Sequence, residues 1–331
     1  MFSLADCARR SLMGALATAS LVVAPRSLHA QVLTRVDLDN DSFNFWQAPT
    51  QRADREYTQG TRIAVSWPTS AHIAKKLLGG PQRCATADAA VRDCRMLVVA
   101  ATQAIYTPHL DVRVRLPGER PYAGWLGAEI GVQRDRLHSM SALSVSLGVT
   151  GAASLAESGQ KLVHRVFGFR PPIGWNAQLP TEPAAMITYR GAHDLVRVRH
   201  ARSGIGFMVA PEWRARFGTL STDATAGLQV IAGVRPPSPW NTAASTERGR
   251  WGLFVRAGAA QHAVARNLFL DGTLFSGSRR VEKYPLFGET ELGVGVRTPL
   301  GLLEWRVHSQ GREYRLQPRA HAYSTFAFAV R

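Results

Sequence analysis

Ser141-Ala142-Leu143-Ser144-Val145-Ser146-Leu147-Gly148-Val149-Thr150 decides the fold class. Successive side chains of an extended strand point to opposite faces. Leu143, Val145, Leu147 and Val149 therefore share one face, and Ser144, Ser146 and Gly148 share the other. The period recurs. Ile63, Val65 and Trp67 alternate with Arg62, Ala64 and Ser66; Leu253, Val255, Ala257 and Ala259 alternate with Gly252, Phe254, Arg256 and Gly258. Leu303, Trp305 and Val307 alternate with Glu304, Arg306 and His308. A soluble sandwich buries its apolar face, whereas a membrane barrel turns that face to lipid and keeps a polar lumen. Alternation alone does not separate the two.

An export signal, the many strands of roughly ten residues and the single long chain favour the barrel. Arg9 and Arg10 precede a short apolar run, Leu12 to Val23, and Ser27-Leu28-His29-Ala30 ends in a small residue suited to cleavage. That order of basic, apolar and small residues describes a secretory leader over 1–30. The run is too short for a membrane-spanning helix, and nothing later approaches eighteen consecutive apolar residues. The mature domain, 31–331, is read as one exported transmembrane antiparallel β-barrel of the outer membrane of a Gram-negative bacterium. Its expected strands are twelve: 32–41, 57–67, 97–107, 120–133, 141–150, 185–199, 204–217, 222–235, 251–264, 283–297, 299–309 and 319–330. One departure is the C-terminus, Phe326-Ala327-Phe328-Ala329-Val330-Arg331, which ends three residues past its last aromatic; many outer-membrane barrels end on one.

Charge points the same way. The leader carries Arg9, Arg10 and Arg26 against Asp6, so its removal takes the formal charge from +16 to +14. Such a charge attracts polyanions. No zinc finger, RNA-recognition signature or basic helix is present, so nucleic acid is not the expected partner. Export directs the charge toward anionic lipid or lipopolysaccharide. Cys84 and Cys94 share one segment, and an oxidising compartment lets them pair and staple a loop.

With the mature N-terminus in the periplasm, segments 42–56, 108–119, 151–184, 218–221 and 265–282 fall at the cell surface, and Cys84–Cys94 at the periplasmic end. Three polar clusters then converge on the surface end. They are Asp39-Asn40-Asp41, Arg55-Glu56-Tyr57-Thr58-Gln59-Gly60, and the segment holding Gln160, His164 and Gly174-Trp175-Asn176-Ala177-Gln178. Ala152 to Phe167 reads as a helix stopped by Pro171 and Pro172. Leu155, Leu162 and Val166 form one stripe, and Gln160 and His164, at i and i+4, face the wall together. Taken singly, each cluster has a bland reading. Asp-Asn-Asp runs are usually turns, a lone loop histidine is usually solvated, and Arg120-Pro121-Tyr122-Ala123-Gly124-Trp125 reads as a strand start with interface aromatics. Ser158 and Lys161 fit S-x-x-K, but its companion motifs are missing.

The order of these blocks resembles the outer-membrane lipid A 3'-O-deacylases, the LpxR-type family. Asp39-Asn40-Asp41-Ser42-Phe43, Tyr57-Thr58-Gln59-Gly60, Gln103-Ala104-Ile105-Tyr106-Thr107-Pro108 and Arg120-Pro121-Tyr122-Ala123-Gly124-Trp125 follow in order. Gln160, His164, Gly174, Trp175 and Gln178 come next, and then Asn267-Leu268-Phe269-Leu270-Asp271-Gly272. The similarity spans essentially the whole mature chain. It implies a twelve-stranded barrel, a loop helix, and calcium-dependent removal of the 3'-linked acyloxyacyl group of lipid A. It implies His164 as general base, with Asn40, Asp41, Thr58 and Gln160 in the site and Asp41 and Thr58 as calcium ligands. The expected acting unit is a monomer. The sequence places no carboxylate that orients His164: Glu157 lies two helical turns away, and Glu182 is one possibility. A surface phospholipase or other lipid esterase, a porin-like barrel without catalysis, and a soluble polyanion-binding β-protein are the rival readings.

Overall fold

The computed structural model describes residues 32–44, 54–80, 82, 84, 93–109, 111, 113–114, 116–238, 240, 251–278 and 280–330. The leader proposed over 1–30 lies outside them. Alternation builds thirteen strand segments. They are β1 (Leu33–Asn40), β2 (Glu56–Pro68), β3 (Asp93–Thr107), β4 (Ala123–Arg136), β5 (Ser139–Thr150), β6 (Pro183–His193) and β7 (Val196–Arg199). Then come β8 (Ile205–Gly218), β9 (Ser221–Val234), β10 (Gly252–Asn267), β11 (Leu286–Arg297), β12 (Gly301–Gln310) and β13 (His321–Val330).

Every ladder is antiparallel. β1 pairs with both β2 and β13, so the chain's ends close one seam. β6 pairs with β5 and β8, which closes the ring. β7 continues β6 along β8, so twelve staves form the wall. The span expected as one strand, 185–199, is interrupted where Asp194 turns in. Its carboxylate receives Arg197 Nε and lies 3.1 Å from His138 Nδ1. Each of the twelve staves is paired on both sides along its span, as a bilayer requires.

Burial is inverted relative to a soluble core. On β10, Leu253 and Val255 are exposed while Phe254, Arg256 and His262 are buried. On β5, Val145 and Leu147 are exposed while Ser144 and Ser146 are buried. The lumen is laced by ion pairs. Arg256 Nη2 lies 2.9 Å from Glu304, and Arg306 bridges Asp37 at 3.2 Å and Glu291 at 3.3 Å. No helix among the described residues is long and apolar enough to cross a membrane; the crossing is made by strands.

Among the described residues, three α-helices decorate the ends. α1 (His72–Leu78) follows β2 at one end of the barrel, and α2 (Ala156–Phe167) lies in the β5–β6 connection at the opposite end. The helix expected from Ala152 is instead a 3₁₀ turn, Gly151–Ser154, joined to α2 through Leu155 in the left-handed region. α3 (Leu268–Asp271) is one turn, capped by Asn267, whose side chain accepts the Phe269 N–H. Its Leu268 and Phe269 join Trp125 and Leu220 in an apolar cluster at the outer end of the barrel. Cys84 and Cys94 form a disulfide. Cys94 stands at the start of β3, so the bond ties the loop to the wall.

Candidate active site on the outer face of the wall

The site lies outside the barrel wall, between the strand tops and α2. On β3, Thr102, Ala104 and Tyr106 line the lumen, so parity turns Gln103, Ile105 and Thr107 outward. α2 docks on that outward face. Ile105, Tyr122, Ala156 and Trp175 form one buried cluster, and Gln103 Nε2 donates to the Ser154 carbonyl at 2.9 Å. Gly124 permits the approach. A Cβ there would stand 2.1 Å from Ser154 Oγ and 2.3 Å from the Ala156 Cβ.

α2 is amphipathic in an uncommon sense. Ala156, Gln160 and His164 are its buried stripe, while Leu155, Leu162 and Val166 are exposed. The polar pair faces the wall, and the apolar stripe faces outward at the rim of a lipid-facing surface. Gly168, with φ 72°, ends the helix in the left-handed region, where glycine is unstrained. The N–H of Phe169 returns to the His164 carbonyl at 2.8 Å. That reversal brings the Arg170 carbonyl within 2.5 Å of His164 Nδ1.

The carboxylate at His164 is Asp54. Its Oδ2 lies 2.5 Å from His164 Nε2 and accepts Gln160 Nε2 at 2.7 Å. Gln160 in turn accepts the Trp175 indole N–H at 2.7 Å. Trp175, Gln160, Asp54, His164 and the Arg170 carbonyl thus form one chain of hydrogen bonds. The i, i+4 spacing gives Gln160 and His164 the same partner. Asp54 was missed in the sequence: it stands one residue ahead of the block that begins at Arg55. Glu182, one possibility for the orienting group, is elsewhere. Its two oxygens accept the backbone N–H groups of Leu274 and Phe275, each at 2.8 Å, so it pins the loop after α3. Glu157 pairs with Lys161 on the exposed face.

His164 carries a raised pKa. The hydrogen bond to Asp54 is the largest cause; burial opposes it, and the Arg170 carbonyl and Asp54's charge reinforce it. With oxygen acceptors at both ring nitrogens, this geometry favours the doubly protonated ring.

Asn40, Asp41 and Thr58 meet at the tops of β1 and β2. Asn40 faces Gln59 across the ladder, and Thr58 is the extra residue of a bulge between Tyr57 and Gln59. Bulges re-aim side chains, and Thr58 Oγ1 lies 2.6 Å from Thr107 Oγ1. Asn40 Oδ1 caps the following 3₁₀ turn by accepting the Ser42 N–H at 2.8 Å. The Asn40 amide nitrogen has no acceptor among the described residues.

Asp41 has the character of a cation ligand. It is 3 % exposed. Its Oδ2 accepts the Arg55 N–H at 2.9 Å, and its Oδ1 is buried with no hydrogen-bond partner among the described residues. Its pKa is pushed well above the usual carboxylate value, first by burial and then by the charge of Asp54. A buried carboxylate facing a second one takes up a proton or a cation. Among the described residues no three His, Cys, Asp or Glu side chains cluster for a metal. A hard cation here would therefore complete its shell with hydroxyl, carbonyl and water oxygens, which suits calcium.

Arg120 does more than begin a strand. It is fully buried and pairs with Glu56 at 3.0 Å and Glu313 at 3.2 Å. Tyr314 joins the network by donating to Glu56 at 2.9 Å. Three surface segments are bound together beside the site. No local pattern in the sequence marks this.

The sequence profile of the family described as "Outer membrane protein LpxR" matches residues 12–331. Among solved structures, LpxR from Salmonella typhimurium is similar over 90% of this chain and 99% of its own, with TM-score 0.71 and 17% identity. The β domain of the Bordetella autotransporter BrkA overlaps 90% of this chain and 97% of its own, at TM-score 0.45 and 8% identity. No curated protein sequence matches the chain.

Proposed function

The chain belongs to the LpxR family of outer membrane proteins and resides in the cell outer membrane; from that premise we propose that it is a lipid A 3'-O-deacylase. One observation carries the reading. His164, Gln160 and Asp54 form a hydrogen-bonded set on the lipid-facing side of the wall, beside the buried carboxylate of Asp41. A substrate held by its acyl chains in the outer leaflet reaches such a site without leaving the bilayer. The exposed Leu155, Leu162, Val166 and Phe169 extend the apolar wall upward for those chains. Arg165 and Arg170, exposed on the same loop, suit the phosphates of lipopolysaccharide.

The reaction is ester hydrolysis. Water adds to the acyl carbonyl carbon, and its proton passes to the pair formed by His164 Nε2 and Asp54. Nδ1, held on the Arg170 carbonyl, keeps the ring oriented. The carbon–oxygen bond to the sugar then breaks, and the accepted proton returns to the sugar oxygen. General-base help of this kind is worth roughly 10²–10⁴ in rate. The Asn40 amide nitrogen is the donor available to the oxyanion. Calcium, held by Asp41, the Thr58 hydroxyl and backbone oxygens, would supply polarisation of the carbonyl. The acting unit is one chain, because a single copy closes the barrel and contains every group named.

The test uses the purified full-length protein in detergent, with lipid A and a glycerophospholipid offered separately. Release of the 3' acyloxyacyl unit from lipid A, stopped by a calcium chelator and restored by calcium, supports the reading. Cleavage of the phospholipid alone replaces it with a surface phospholipase. Cleavage of neither by folded protein overturns catalysis at this site.

A further inference from the structure

A second polar site lies on the other side of the wall, inside the lumen, where β6 and β8 close the ring. Their register sets Arg190 directly opposite Arg214, and Thr188 opposite Arg216. All four side chains line the lumen, and the intervening Ile187, Tyr189, Trp213 and Phe217 are exposed on the outer face. Like charges directly opposite one another across a ladder are destabilising. The other lumenal arginines of this region are neutralised, Arg216 by Asp223 at 2.8 Å and Arg62 by Glu129 at 3.3 Å.

Arg190 and Arg214 are not. Arg190 makes no hydrogen bond or ion pair with the described residues. Arg214 Nη2 reaches only the Thr225 hydroxyl, at 3.2 Å, and its Nε is buried without a partner. Neither arginine has an acid within ion-pair distance among the described residues. Glu212, opposite Ala192, is held by the neutral Gln229 amide at 3.0 Å, and Glu289 lies between His262 at 3.0 Å and His308 at 2.9 Å. The lumen is not short of carboxylates, so the missing counter-charge is local. Both arginines line a lumenal cavity of about 560 Å³, ample for a small hydrated anion.

We propose that Arg190 and Arg214 form an oxyanion site in the barrel lumen that takes a small free phosphate-class anion, either inorganic phosphate or a small phosphomonoester. Two guanidinium forks present paired N–H donors that match a tetrahedral oxyanion. An anion between them converts a repulsive cross-strand pair into a bridge across the β6–β8 seam. Phosphates borne by membrane lipid do not reach this site, because the hydrogen-bonded wall separates it from the bilayer. The site is therefore independent of the chemistry proposed on the outer face.

The experiment is isothermal titration of the full-length protein, folded in a nonionic detergent, at constant ionic strength. Inorganic phosphate and glycerol phosphate are titrated separately, with chloride as the reference. Saturable binding of one anion per barrel is expected for at least one of the two, and the arm that binds identifies the source. R190Q and R214Q are each expected to weaken it by roughly tenfold or more. R190K retains part of the affinity, and R202Q, on the exposed periplasmic turn, leaves it unchanged. Heat-modifiable migration confirms that each variant is folded. No saturable binding of either anion, or equal affinity in folded R190Q/R214Q, overturns the proposal.

Discussion

Asp54 sets the working state of His164. Its hydrogen bond raises the imidazole pKa against the opposing effect of burial. A base must be unprotonated, so hydrolysis is expected to rise with pH through a midpoint above the ordinary histidine value of about 6.5. D54N removes the anionic acceptor and leaves the Arg170 carbonyl as the main contact opposing burial. The midpoint should then fall toward the ordinary value, with a rate loss on the order of 10². A pH–rate profile of folded D54N checks both, and an unmoved midpoint would show that Asp54 does not govern the ring. Stability carries the same linkage. The pair's contribution is fully present below the unfolded value and is lost as pH rises through the raised folded value. Local pattern singled out Gln160 and His164 because both stand on one helix. Asp54 was not legible, because its partners Gln160 and His164 lie 106 and 110 residues away, a pairing that no spacing in the sequence encodes.

At the scale of elements, the site is a contact between α2 and the β3–β4 wall. Gly124 sets their separation, since a side chain there would overlap Ser154 and Ala156. G124V is expected to lift α2 while leaving the ladders intact. Displacing catalytic groups by about 1 Å can cost about 10² in rate. Activity should fall by that order while heat-modifiable migration persists; full activity would mean that α2 does not position the site. The Arg120 network binds the loops around it. R120Q leaves Glu56 and Glu313 facing each other in a buried place. Breaking a buried pair from one side costs about 3–5 kcal/mol, so denaturant unfolding should show a loss of that size. The sequence marked Arg120 only as a strand start, because its partners lie 64 and 193 residues away.

At the scale of the whole molecule, the alternation at 141–150, 251–264 and 299–309 gave the strands, because one period governs every stave, and it took the export signal, the number of strands and the single long chain to favour a membrane barrel over a sandwich. Strand parity was enough to send the three polar clusters to one end. What it did not encode was the side of the wall. Gln103, Ile105 and Thr107 face outward, and α2 covers them, which puts the candidate chemistry in the outer leaflet and leaves the lumen to arginine and glutamate. On the proposed function, the bilayer is the substrate's solvent as well as the protein's. The most direct test is mass spectrometry of lipid A from cells expressing the chain or its H164A variant. The account predicts loss of one acyloxyacyl unit with the native chain and intact lipid A with H164A, both proteins being folded in the outer membrane. The same loss with H164A, or intact lipid A with the native chain inserted and calcium present, would contradict it.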